Sequence, residues 1–301
     1  MNMSNSNQLQ TKPKFSVAIK TEQYQKLINS TLGDPERARR FIASISSAVA
    51  TNPSLQECNA GTILSGALLG EALNLSPSPQ LGQYYLVPFE KKKYNNETKK
   101  WEVVDKNATF VLGYKGYIQL AIRSGNYKKI NVIEIKDGEL EEFDLMSEEI
   151  KVKLIQDDEL REQTKTIGYY AMFEYLNGFK KAMYWSKNKM LAHADKYSPA
   201  FTKKGYELLE AGKVKKEDEH KYSSHWYKNF DDMAKKTMIR QLISKWGVMS
   251  IEMREAFEKD ETIQNTDGTY NYVSNLDDKT IIETQIEENN SEPKRVDMNE
   301  L

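Results

Sequence analysis

Three stretches of this chain place lysine or arginine beside glycine or aromatic residues in spacings that suit a polyanionic ligand. The first is GYKGYIQLAIRSG (113–125). Gly113 and Gly116 flank Lys115 where a strand should enter a helix. Glycine lets backbone approach a phosphate closely, and the first turn of a helix offers it free N–H groups. Lys115 and Gln119 share one face of that helix with Arg123 close by, while Tyr117, Leu120, Ala121 and Ser124 form a face for the core. An ordinary capped helix with exposed charges would read the same way. The second stretch, 180–204, holds seven lysines and one acid, Asp195. Tyr184, Trp185, Tyr197, Phe201 and Tyr206 are interleaved with it or border it. Cations hold phosphates and flat side chains stack on bases, which is what sequence-tolerant single-strand binding needs. Phe201, between Pro199 and Lys203-Lys204, is the aromatic expected to be exposed. The third is HWYKNFDDMAKKTMIRQLISKW (225–246). Lys236 and Arg240, four apart, should project together, with Met238 and Leu242 turned to the core. Such a helix suits a groove wall and equally a plain surface.

Hydrolytic and redox chemistry finds no support. There is no G-x-x-x-x-G-K-[ST] phosphate loop and no G-x-S-x-G elbow. The histidines are His193, His220 and His225; the last two, five apart, suit one helical face poorly, and with Cys58 the single cysteine no cluster stands near them to complete a zinc site. Carboxylates gather at Glu139, Glu141, Glu142 and Asp144, and at Asp157, Asp158 and Glu159. A two-metal nuclease would need them to converge, and their setting points instead to strand ends and turns. A single cysteine allows no internal disulfide and points to a reducing cytoplasm. No apolar run approaches the roughly 20 residues of a membrane span, and the polar N-terminus carries no signal-peptide core.

The elements that must position these residues follow from pattern. Residues 1–20 read as a flexible arm and 21–258 as the core. Asp34-Pro35 caps a helix whose apolar face is Phe41, Ile42, Ile45 and Val49. Ser54 and Glu57 form a capping box for a helix through Ile63, Leu64, Leu68 and Leu73. Its small residues, Gly61 to Gly70, make it and the basic hairpin candidate subunit contacts. Strands are expected at 84–89 and 108–112, joined by a hairpin tip at 91–101 with Lys91, Lys92, Lys93, Lys99 and Lys100 around Tyr94. Further strands fall near 130–136, 150–156, 166–176 and 179–185, the last two around a type I′ turn at Asn177-Gly178. Helices return at 187–197 and 228–246. The absence of βαβ alternation gives an α+β fold with mainly antiparallel pairing. The net charge of −1 hides an asymmetry: thirteen acidic and four basic residues from Glu255 onward leave +8 on residues 1–254. Residues 259–301 therefore read as an acidic, disordered tail on a basic body, a pattern found in polyanion binders and in merely solvated proteins alike.

Four segments in order resemble the RecT family of phage single-strand annealing proteins, of the Gram-positive prophage type. They are ALLGEALNLSPSPQLGQYYLVPF (67–89), GYKGYIQLAIRSG (113–125), WSKNKMLAHADKYS (185–198) and WYKNFDDMAKKTMIRQLISKW (226–246), and the likeness spans about 20–255. Trp246-Gly247 departs from it, since many members end this helix near a proline. The resemblance implies an antiparallel sheet with a hairpin packed against helices, distantly like the eukaryotic ring-forming annealing proteins. It implies a DNA-binding recombinase in the bacterial host cytoplasm that anneals complementary strands without ATP. Expected partners are single-stranded DNA and the annealed duplex intermediate, copies of the chain in a ring or helical filament, a phage exonuclease and the host single-strand-binding protein. No catalytic residue, cofactor or metal is expected. Lys115, Arg123, Lys187, Lys189, Lys203, Lys204, Lys236 and Arg240 should line the groove, and Gln83, Tyr84, Tyr114, Phe201 and Tyr206 should touch sugar or base. The rival functions are a passive strand-protecting filament protein and a metal-dependent nuclease.

Overall fold

The computed structural model of the chain describes residues 13–96, 98–198, 200–264 and 270–272. Five helices lead: α1 (Phe15–Ala18), α2 (Glu22–Leu32), α3 (Pro35–Ala50), α4 (Pro53–Gln56) and α5 (Ala60–Ala72). Asp34 caps α3 as its sequence predicts, its carboxylate accepting the Glu36 N–H at 2.9 Å. The expected capping box does not form. Glu57 is drawn away to Lys106 at 2.5 Å, and Asn59 caps α5 instead, accepting from Gly61 N. Phe15, Ala18 and Ile19 are buried, so the end of the arm drawn at 1–20 belongs to the core.

β1 (Tyr84–Asn95) and β2 (Lys100–Leu112) pair in a long hairpin, Tyr84 opposite Leu112 and Asn95 opposite Lys100. The lysine-rich 91–101 stretch is thus mostly strand rather than tip. Complementary charges sit across the ladder, Lys91 opposite Asp105 and Lys93 opposite Glu102. Such pairs sustain a strand without apolar alternation. The small residues of α5 face this hairpin: a Cβ on Gly66 would lie 2.7 Å from the Leu86 side chain, and one on Gly70 2.4 Å from the Tyr84 ring. That close packing within one chain occupies the face proposed for a neighbouring subunit.

α6 (Tyr114–Arg123) leads into β3 (Tyr127–Lys136). β4 (Leu140–Phe143), β5 (Ile150–Val152) and α7 (Asp158–Gln163) precede β6 (Thr166–Tyr175) and β7 (Lys180–Ser186). β3, β6 and β7 make a second antiparallel sheet with β6 central. The β6–β7 turn differs from type I′, because only Gly178, at φ +87°, is left-handed while I′ needs two such residues. Tyr175 N–H instead reaches the Phe179 carbonyl across a three-residue loop, at 2.9 Å. α8 (Lys187–Tyr197), α9 (Lys203–Glu210), a 3₁₀ turn (Lys216–Tyr222), α10 (His225–Lys228), α11 (Phe230–Trp246) and α12 (Ile251–Lys259) follow, then β8 (Thr262–Gln264) and β9 (Tyr270–Tyr272). α11 crosses the β3–β6–β7 sheet and touches α6. Met238 and Leu242 are buried, as their periodicity predicts. One continuous core runs from Phe15 to Ala256. The result is an α+β fold of antiparallel sheets against helices, as the sequence indicates.

Candidate nucleic-acid interface

The GYKG glycines serve chain packing. A Cβ on Gly113 would lie 2.2 Å from the Gly82 carbonyl oxygen, and one on Gly116 2.1 Å from that of Gln83. Gly113 N–H donates to the Gln83 carbonyl at 2.9 Å. These glycines therefore let the start of α6 press onto the 82–83 backbone, in the place expected for a phosphate cradle. Gly116→Ala should cost about 1–3 kcal/mol by overpacking, read as a lower urea midpoint. A pure phosphate contact would instead leave the midpoint unchanged and weaken DNA binding. Lys115 remains exposed beside this junction. Its Nζ stands 6.0 Å from the Tyr114 ring centroid, and Lys235 of α11 stands 5.0 Å from the same ring. Lys235 also pairs with Glu134 and Asp232, each at 3.0 Å. Burial opposes the Lys235 charge, but those two carboxylates outweigh it and raise its pKa.

Several predicted contacts are engaged within the chain. Tyr84 is buried and stacks on Phe110 at 5.0 Å. The Gln83 side chain accepts the Ser76 N–H at 2.7 Å, and Arg123 donates to the Asn74 carbonyl at 3.1 Å. Phe201 is only 2% exposed and Tyr206 7%. Phe201 packs among Tyr206, Trp226, Tyr227 and Phe230, with centroids 4.8–6.0 Å apart. The polar run around Phe201 suggests exposure, but this ring nest draws it in. Lys187 lies over the edge of the nest, 5.4 Å from the Tyr206 ring. Lys203 is held through its N–H by Asp195 at 2.9 Å, and Lys204 is exposed at the start of α9.

Lys236 and Arg240 do project together, but inward. Lys236 is buried, its Nζ 2.8 Å from Glu261 and 3.1 Å from Asp260. Arg240 reaches Asp260 at 2.9 Å. Asp260 is fully buried and also accepts the Leu112 N–H at 2.8 Å and the Tyr117 hydroxyl at 2.7 Å. The boundary drawn at 258 consequently falls short, because Asp260 and Thr262 are core. The rest of the proposed tail, apart from 263–264 and 270–272, lies outside the described residues.

The exposed side of α8 gathers what single-strand binding needs. Ser186 caps the helix through Lys189 N–H at 3.2 Å, and Met190, Leu191 and Ala194 face the core. Lys189, His193, Lys196 and Tyr197 recur at helical spacing on another face. His193 lies 5.2 Å from the buried Trp185 ring and 4.6 Å from that of Tyr197, a residue 61% exposed. Lys189 sits 4.7 Å from Trp185 and Lys196 5.1 Å from Tyr197. Burial first, then Lys196 and Lys245 of α11, push the His193 pKa below its ordinary value. The next residue of α11, Trp246, is half exposed with Lys181 3.9 Å over its ring. Of these residues Lys189 alone is among the contacts expected from sequence. His193, Lys196, Tyr197, Lys245, Trp246 and Lys181 are not, although the 189/193/196/197 spacing is visible in the chain.

The acidic clusters stay apart from this surface chemistry. Glu139 is buried against Arg161 at 2.7 Å, Glu142 pairs with Lys151 at 2.5 Å, and Asp157 caps α7. No group of three or more metal-ligating side chains is assembled among the described residues, and no described helix is long and apolar enough to cross a membrane.

The sequence profile of the RecT family matches residues 39–273. The chain is 36% identical over 235 residues to "Uncharacterized protein YqaK" of Bacillus subtilis, covering 78% of this chain and 68% of that protein. It is 27% identical over 250 residues to "Protein RecT" of Escherichia coli, covering 80% and 81%.

Proposed function

Because the chain belongs to the RecT family, we propose that it binds single-stranded DNA and accelerates the annealing of complementary strands in phage recombination. It does so without a nucleoside triphosphate and as an oligomer. The observation that carries this reading is the repeated pairing of an exposed lysine with a ring: Lys196 with the exposed Tyr197, Lys189 with Trp185, Lys115 with Tyr114. Cations neutralise the two backbones, which otherwise repel each other, and concentrate them on one surface. Contacts to phosphate and ring stacking leave base edges free to test partners. Base pairing itself then supplies the favourable free energy. A 5′–3′ exonuclease that exposes single strands and a host single-strand-binding protein are the partners such a role requires.

Mixing two complementary labelled oligonucleotides with the protein, without nucleotide and with a chelator, tests this. Duplex should form faster than in the protein-free control, with strand length unchanged. Tight binding without acceleration would mark a passive strand-covering protein. Strand shortening in magnesium that the chelator abolishes would mark a nuclease.

A further inference from the structure

The α8 stripe differs from the other lysine–aromatic pairs in holding a titratable ring among cations. His193 touches the rings of Trp185 and Tyr197. The charges acting on it are Lys196 of its own helix and Lys245 of α11. Trp185, from β7, brings no charge. Asp195 is turned to the Lys203 N–H, and Lys189 lies over Trp185. Resting on the single-strand-binding reading, we propose that this stripe takes one nucleotide unit of a single strand. The base lies on the Tyr197 ring and the phosphate sits between Lys196, Lys245 and His193, which gains a proton as the phosphate seats.

The coupling is electrostatic. Without a ligand, His193 is half buried beside two ammonium groups, and no carboxylate is among the described charges that act on it. A further positive charge beside them is unfavourable, which favours the neutral ring. A phosphodiester carries a permanent negative charge and offsets the lysines. The imidazolium then becomes the favoured form and donates to a phosphate oxygen. Binding and protonation are linked: if the bound state takes up a proton, affinity rises as pH falls. The dependence is strongest between the free and the bound histidine values. Tyr197, exposed and next to Lys196, supplies a flat platform that accepts any base.

The test is the affinity for a thymine-only oligonucleotide between about pH 5.5 and 8 at fixed salt, a range that brackets the ordinary histidine value, for the wild type and His193→Phe. Phenylalanine keeps a ring between Trp185 and Tyr197 but cannot titrate. Wild-type affinity should strengthen several-fold on acidification, with a limit of about tenfold per pH unit for one proton. His193→Phe should lose most of that gain, its affinity varying little with pH across the range whatever its absolute value. If the His193→Phe variant fails to fold, judged by its thermal melt, His193→Gln serves in its place. Equal pH slopes in the wild type and the variant would overturn the proton-linked site while leaving strand binding intact. Absence of binding at every pH would overturn the single-strand reading itself.

Discussion

Replacing Asp260 with alanine is expected to cost about 3–5 kcal/mol of folding stability, the usual consequence of removing one partner of a buried ion pair. Asp260 accepts from the Leu112 N–H, the Tyr117 hydroxyl, Lys236 and Arg240. Its loss strands a buried hydroxyl and a backbone donor and leaves the buried Lys236 ammonium with Glu261 as its carboxylate partner. Lys236→Met should cost less, since Asp260 keeps three of its four donors and a methionine fills much of the lysine's volume. Urea unfolding followed by tryptophan fluorescence measures both. A Lys236→Met variant as unstable as Asp260→Ala would show that the lysine dominates the network. Truncation after residue 264 should leave the midpoint nearly unchanged, whereas truncation before Asp260 should reproduce the Asp260→Ala loss. Acid weakens the same junction. Lys236 holds the Glu261 carboxyl below its ordinary value. A depressed carboxylate adds stability fully above its unfolded value, about 4.3. That contribution is lost as pH falls through the lower folded value.

Charge reversal on the α8 stripe is the second large effect. Lys196→Glu with Lys245→Glu should weaken single-strand binding by at least about tenfold near 0.1 M salt, because each single-strand phosphate contact contributes about 0.7 to the slope of log K against log salt. At that salt one contact is worth about fivefold in affinity, and reversal adds repulsion. Both lysines meet one phosphate, so the slope should fall by about 0.7. Tyr197→Ala should weaken binding with its salt slope unchanged, since stacking releases no counterions. Wild-type affinity and slope in the double variant would remove the stripe from the interface. Lys236→Ala with Arg240→Ala, by contrast, is expected to act through stability, since both side chains point at Asp260.

Local rules make much of this fold legible. Asp34-Pro35 marks a helix start, Asn177-Gly178 marks the hairpin between β6 and β7, and Met238 and Leu242 mark the buried side of α11, all as observed. What escapes them is decided by residues distant in sequence. Nothing near Lys236 says that a carboxylate 24 positions later will be buried against it. Nothing around Phe201 says that Trp226 and Phe230 will close over its ring. Gly113 and Gly116 are legible as sites of close approach, but the approaching group is the 82–83 backbone. The α8 stripe is readable from its spacing alone. A lysine-rich count does not single it out, because it gives equal weight to cations at an open surface and cations held by carboxylates.

The fourfold junction at Asp260 also sets an order of events during synthesis. Chain growth is vectorial and domains fold as their residues emerge. Until residue 260 has been added, Lys236 and Arg240 have no Asp260 carboxylate to be buried with, and Tyr117 lacks the acceptor of its hydroxyl proton. α11 can meet its sheet earlier. The contacts that this one carboxylate gathers from β2, α6 and α11 can form only once residue 260 has been added.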